Sequence, residues 1–183
     1  MFRLDNFLDE LCAAAESQQA VRETVARAVS DRAAVLREIG EPTMGQIQTL
    51  YRSDRLTVLN VIWAPKMTIF PHNHTVWAVI GIYGGREDNI FWRRLPETES
   101  HRVEAAGAKS LSDGDTVALG YDIIHSVTNP IARCTGAIHV YGGDFFNTHR
   151  KEWDPETLEE RPCDVERLVR LFEEENQRWS APP

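Results

Sequence analysis

Cysteine is scarce in this chain. Cys12, Cys134 and Cys163 are the only three among 183 residues, they lie far apart, and none forms a CxxC pair. A disulfide framework is thereby set aside, and free thiols in a reducing cytosol are expected. Long apolar runs are also missing, since none approaches the ~20 residues that a membrane-spanning helix needs. The opening MFRLDNFLDE is charged from position 3 and has no apolar core, so no secretory leader is expected and the sequence reads as cytoplasmic. Basic charge is short. The 20 Lys and Arg against 28 Asp and Glu leave a net charge of −8, which argues against nucleic acid and against anionic membrane surfaces as partners. Neither Gly84-Gly85 nor Gly142-Gly143 opens a GxGxxG or GxxxxGK phosphate cradle, and no GxSxG elbow or HExxH helix occurs.

What is present is the balance of a soluble globular protein, 42% hydrophobic and 26% charged. The length suits one compact domain, residues 1–183, in three zones. Residues 1–44 read as helical. Phe2, Leu4, Phe7, Leu8 and Leu11 recur at helical spacing, and Val21, Val25, Val29, Ala33, Leu36 and Ile39 continue the stripe. Ser17 is a candidate N-cap dividing two helices, and Gly40 with Pro42 stops the second. Residues 45–146 change texture to short runs rich in Val, Ile, Trp and Tyr, separated by turn residues. The runs are 46–52, 56–63, 68–71, 77–83, 89–95, 103–106, 116–119, 125–128 and 137–141. Many short strands at this spacing predict an all-β barrel or sandwich. Residues 147–183 read as a loop and one helix, capped by Asp164 and striped by Val165, Leu168, Val169, Leu171 and Phe172. The Ala181-Pro182-Pro183 tail is expected to fray.

Chemistry concentrates in the histidines, of which there are six. His72 and His74 are two apart, so on a strand they share a face with Cα atoms roughly 6–7 Å apart. That spacing lets two imidazoles converge on one ion, each at about 2.1 Å. Taken alone, HxH could equally be two surface histidines at a strand end. His125 stands in a segment spaced Gly114-(x5)-Gly120-(x4)-His125-(x3)-Asn129, and Ala137-Ile138-His139-Val140-Tyr141 follows with His139 and Tyr141 on one strand face. His101 and His149 have no partner pattern and read as surface residues.

These motifs resemble those of the cupins, the double-stranded β-helix (jelly-roll) proteins. His72, His74 and Gly85 match the first cupin motif, and Gly114, His125 and Asn129 match the second. The acidic ligand of the first motif falls on Ala78 or Val79, and an expected glycine is Lys66. A site of three histidines without a carboxylate resembles the thiol dioxygenases of the cysteine dioxygenase group. Their S-x-H-x-Y strand is similar to residues 137–141, with Ala137 in the place of serine. The resemblance covers roughly half the chain and implies a cupin barrel with N-terminal and C-terminal helices. It implies a metal held by His72, His74 and His125, with Fe(II) as cofactor and His139 and Tyr141 as catalytic residues. A small-molecule thiol and O₂ would be the substrates. No Cys–Tyr crosslink is expected, because Thr75 to Gly81 contain no cysteine. Cupins often pair through sheet edges, so a homodimer is among the open states. A non-catalytic cupin binding module and a metal-dependent cupin acting on a non-thiol substrate are the alternatives.

The chemistry stands without the family. Three neutral imidazoles leave a divalent ion its full charge, which suits an anionic thiolate, whereas the His₂–carboxylate site lowers it. A substrate carboxylate would need a cation, and arginine binds one through its planar fork. Arg52 is the first choice because it follows Tyr51 at a strand end, where the group carries arginine in a YxR sequence. Arg55, Arg93 and Arg94 come next, and strand alternation turns one of the last two inward. Trp63, Trp77 and Trp92 read as core, with Trp77 also a candidate wall of the substrate pocket.

Overall fold

The computed structural model describes residues 2–96 and 101–180, so the tail at 181–183 lies outside the described residues. Three helices come first: α1 (Leu4–Ala14), α2 (Gln18–Val29) and α3 (Arg32–Ile39). The Ser17 hydroxyl accepts from the Ala20 N–H at 3.2 Å and starts α2, as its position predicts. The expected single second helix is two. Asp31 accepts from the Ala34 N–H at 3.0 Å, and this cap begins a new rod inside the apolar stripe.

The β zone contains β1 (Gln46–Arg52), β2 (Thr57–Trp63), β3 (Thr68–Asn73), β4 (Ala78–Gly84), β5 (Arg86–Arg94), β6 (Val103–Ser112), β7 (Thr116–Leu119), β8 (Ile124–Thr128) and β9 (Thr135–Tyr141). Their pairing is nested: β5 with β6, β4 with β7, β3 with β8 and β2 with β9, all antiparallel. One long hairpin has been rolled up so that successive rungs fall alternately into two sheets. The sheet orders are β1-β2-β9-β4-β7 and β11-β10-β3-β8-β5-β6, where β10 is Lys151–Trp153 and β11 is Glu160–Pro162. This is a double-stranded β-helix. It is the jelly-roll expected, built as a pair of facing open sheets in which β1, β7, β11 and β6 remain sheet edges.

β6 runs straight through Ala106-Gly107, where a turn was expected. Phe91 pairs with Gly107 and Trp92 with Ala105, so Ala106 is an extra residue and the break is a bulge. β10 and β11 replace what reads as loop.

β2, β4 and β9 are buried along their whole length because both faces are covered. One face packs Val58, Val79, Ile138 and Val140 against Phe7, Leu11, Val21 and Val25 of the helices. The other turns Leu59, Val61, Ile80, Ala137 and Tyr141 toward the second sheet, where Ile69 and Val127 meet them. The alternation in β9 therefore sends His139 and Tyr141 between the sheets and their neighbours under the helices. At Gly81 a Cβ would lie 2.4 Å from Val25 Cγ1, so α2 approaches β4 only because that side chain is missing. α4 (Val165–Ser180) places Leu168 and Phe172 against the inner core. Its entry is tied down by Glu152, fully buried, which accepts from Arg161 at 2.7 Å, Arg167 at 2.9 Å and the Asp164 N–H at 3.0 Å. No helix among the described residues is long and apolar enough to cross a membrane.

Candidate metal centre

β3 and β8 lie side by side with His72 opposite His125, and His74 stands just beyond the end of β3. Thr75, at φ 58°, turns the chain sharply away after it. The three side chains meet with their ligand atoms within 4.8 Å of one another. His74 Nε2 is 3.3 Å from His72 Nε2 and 3.2 Å from His125 Nε2. Two donors each about 2.1 Å from one ion, and roughly 100° apart, would be about 3.2 Å from each other.

The proton positions sharpen this. His72 Nδ1 lies 3.1 Å from the Phe70 carbonyl, which can only accept, so the proton is on Nδ1 and Nε2 is bare. His125 Nδ1 donates in the same way to Asn89 Oδ1 at 2.7 Å. The Asn89 amide is oriented by its own N–H bond to Glu87 Oε1 at 2.9 Å. Two bare nitrogens thus face His74, whose single ring proton could serve only one of them. A cation satisfies all three. Burial holds the imidazoles neutral, pushing His72 down to about 4 and His74 and His125 well below their ordinary value. Neutral imidazole is the state that ligates a metal. The donor set therefore fits a divalent transition-metal ion.

The nitrogens open into a cavity of about 50 Å³ walled by Leu59, Val61, Ile69, Val127, Phe145 and Leu168. Among the described residues lining it there is no carboxylate. The place of the usual acidic ligand is taken by Ala78, facing the inner core, and Val79, facing the helices.

His139 and Tyr141 also line the cavity. The Tyr141 hydroxyl is 3.1 Å from His139 Nδ1, and its ring stacks on Phe145 at 4.0 Å and sits edge-on to His74 at 5.0 Å. Burial pushes the phenol above its ordinary value, so it keeps its proton. His139 Nε2 is buried without a hydrogen-bond partner and lies 3.7 Å from a carboxylate oxygen of Glu87, an electrostatic contact too long for a hydrogen bond.

Two of the sequence-derived candidates are elsewhere. Arg52 points outward and grips Asp144 through two bonds, at 2.8 and 2.9 Å, with Phe146 beneath it at 4.9 Å. Trp77 packs on the helix side of the first sheet, pressed into the space left by Gly142, where a Cβ would meet it at 2.0 Å. Neither lines the cavity. Arg55 pairs with Glu16, Arg93 with Glu104 at 2.6 Å and Arg94 with Glu160 at 3.5 Å. All three face solvent; Arg93 and Arg94 lie at the end of β5 beyond its last pairing with β8 at Trp92, and both are exposed. His101 and His149 are exposed.

The cation at the cavity is Arg150, on the link between the helical turn at Phe145–Asn147 and β10. Its guanidinium lies 4.0 Å over the Phe145 ring, and its Nε is buried with no partner. It adds to the downward push on His72 and His74. Cys163 is a second unforeseen wall residue, its thiol pushed up by burial. No sequence signal marks either one, because both arrive from the segment read as loop. Outside, an apolar groove of about 430 Å³ between β1 and α4 shares Ile47, Phe145, Arg150 and Leu168 with the cavity and forms its approach.

No protein-family model matches the sequence. Solved structures of similar fold include the DMSP lyase DddQ from Ruegeria pomeroyi DSS-3, at 19% identity over 62% of this chain and 53% of that one, with a TM-score of 0.48. A double-stranded β-helix protein from Klebsiella pneumoniae shares 12% over 61% of this chain and 81% of that one, TM-score 0.47. An RmlC-like cupin from Methanocaldococcus jannaschii shares 9% over 57% and 84%, TM-score 0.46. Likeness at this level carries no argument, and the nested strand pairing bears the fold assignment by itself.

Proposed function

We propose that the protein is a thiol dioxygenase that holds Fe(II) through His72, His74 and His125. It converts a small thiol bearing a carboxylate, with O₂, into the sulfinate. The observation that carries this reading is the make-up of one cavity: three converging imidazole nitrogens, a phenol and a guanidinium whose Nε has no partner among the described residues, with no carboxylate among its described walls.

When bound, the iron supplies open positions for a thiolate sulfur and for O₂ and the redox chemistry that joins them. Both oxygen atoms finish on sulfur, so the thiol is the sole reductant and no further electron donor is needed. The protein's own groups do the rest. Arg150 pairs with the substrate carboxylate, which gives its partnerless Nε an acceptor and fixes the thiol end toward the histidines. The Tyr141 hydroxyl, steadied by His139 Nδ1, presents a proton-bearing group to the cavity. Leu59, Val61, Ile69 and Val127 keep bulk water out. The small cavity volume favours a short thiol such as a mercapto acid.

Oxygen-electrode screening of the iron-loaded protein against 3-mercaptopropionate, cysteine and cysteamine tests the proposal. The expected result is thiol-dependent O₂ uptake with a sulfinate product by mass spectrometry, strongest for the carboxylated thiols. Metal-loaded protein that consumes no oxygen with any small thiol would leave this reading without support.

A further inference from the structure

The carboxylate missing from among the ligands stands directly behind them. Glu87, on β5, is fully buried, yet among the described residues no Lys or Arg pairs with it. Its Oε2 accepts from Trp63 Nε1–H at 2.7 Å and its Oε1 from Asn89 Nδ2–H at 2.9 Å. His139 Nε2 approaches Oε2 at 3.7 Å. Burial alone would raise this carboxyl, but His139 and the N–H donors of Asn89 and Trp63 outweigh it and hold the group ionised. An isolated buried charge is costly, and this one is met by two groups that line the cavity, Trp63 and His139, and by Asn89, which holds the ring of His125.

An ionised carboxylate has no hydrogen to give, so each neighbour must show it an N–H. For Asn89 this leaves the carbonyl facing His125, which must then put its proton on Nδ1 and leave Nε2 bare. For His139 it turns Nε2–H toward Glu87 and leaves Nδ1 to accept from Tyr141. We infer that Glu87 is a positioning residue that sets hydrogen-bond polarity in two directions at once, preparing His125 as a ligand through Asn89 and aligning Tyr141 through His139. The inference rests on reading the histidine triad as a metal site, and it adds the residue that fixes the tautomer of one ligand.

A charge-swap experiment tests it. In Glu87→Gln the new amide must keep its oxygen on Trp63, whose indole can only donate. Its amino group therefore faces Asn89, which has to flip, and the flipped amide drives the His125 proton from Nδ1 to Nε2. The double variant Glu87→Gln/Asn89→Asp restores the polarity, because the aspartate accepts from both the glutamine and His125 Nδ1–H. Two readouts are used: imidazole nitrogen NMR shifts of the metal-free protein, and titration with Co(II) followed by visible absorption. The expected result is a bare Nε2 on His125 in the wild-type protein. Glu87→Gln should bind Co(II) about 10–100-fold more weakly, the usual cost of losing an outer partner of a ligand. The double variant should recover most of that affinity. A His125 proton on Nε2 in the wild-type protein overturns the inference without any variant being needed. So does a Glu87→Gln protein with unchanged tautomer and Co(II) affinity, or a double variant as weak as the single one. Wild-type protein that takes up no Co(II) sinks the metal reading itself.

Discussion

Tyr141 keeps its hydroxyl 3.1 Å from His139 Nδ1 and its ring wedged between His74 and Phe145. Tyr141→Phe preserves the wedge and deletes only the proton-bearing oxygen. Metal content should stay intact while turnover falls by about 10²-fold, the lower range for a positioned proton donor, as steady-state kinetics with metal analysis can check. The two arginines separate just as cleanly. Arg150→Gln should raise KM for a carboxylated thiol by about 10–100-fold and hardly touch cysteamine. Arg52→Gln, which loses its hold on Asp144 and its contact with Phe146, both outside the cavity lining, should leave both KM values unchanged. The triad was legible because a spacing of two on a strand fixes a shared face, and because His125 and Asn129 sit in a recognisable turn pattern. Arg150 was not, and Arg52 was preferred in its place. The reason is that a local sequence cannot reveal a partner 92 residues away: Asp144 occupies Arg52 and withdraws it from the cavity. Glu87 has no sequence signal for the same reason, since its partners include Trp63 and His139 on other strands as well as Asn89 on its own.

At the level of elements, the apolar runs located β1 to β9 because the turn residues between them are strong signals, but they ended β6 at Ala106 where it continues to Ser112. Short strands have no such signature. β10 and β11 span three residues each and are recruited by pairing, not by propensity, so the segment reads as loop. The division of α2 from α3 was hidden by a stripe that continues in phase across Ser30-Asp31. Contact between elements makes its own prediction. A methyl group at Gly81 would press on Val25 Cγ1 at 2.4 Å and Val29 Cγ1 at 3.0 Å, both stiff and buried. Gly81→Ala should therefore push α2 off β4 and cost about 1–3 kcal/mol of stability. Calorimetry should register this as a melting temperature lower by roughly 2–4 °C for each kcal/mol. Its distance from the cavity means that metal affinity should be spared.

For the molecule as a whole, a bound divalent ion joins β3 to β8 and should add about 2.7 kcal/mol of stability at a hundredfold excess over its dissociation constant. The rolled hairpin says how that gain is divided between folding and unfolding. Its innermost rung, β5 with β6, closes the shortest loop, and each later rung brings together segments further apart in the chain. The ligands belong to the third rung, Arg150 follows the last one, and α4 with its Glu152 anchor comes later still. The site is thus a late arrival in time as well as a deep one in space. An ion has nothing to grasp until the third rung closes, so it acts as a latch on rungs already formed and not as a seed. Stopped-flow measurements with and without Co(II) should show unfolding slowed roughly in proportion to the gain in stability, with the folding rate unchanged. An ion that sped up folding instead would mean that β3 and β8 meet early, and that the hairpin does not close from its centre outward.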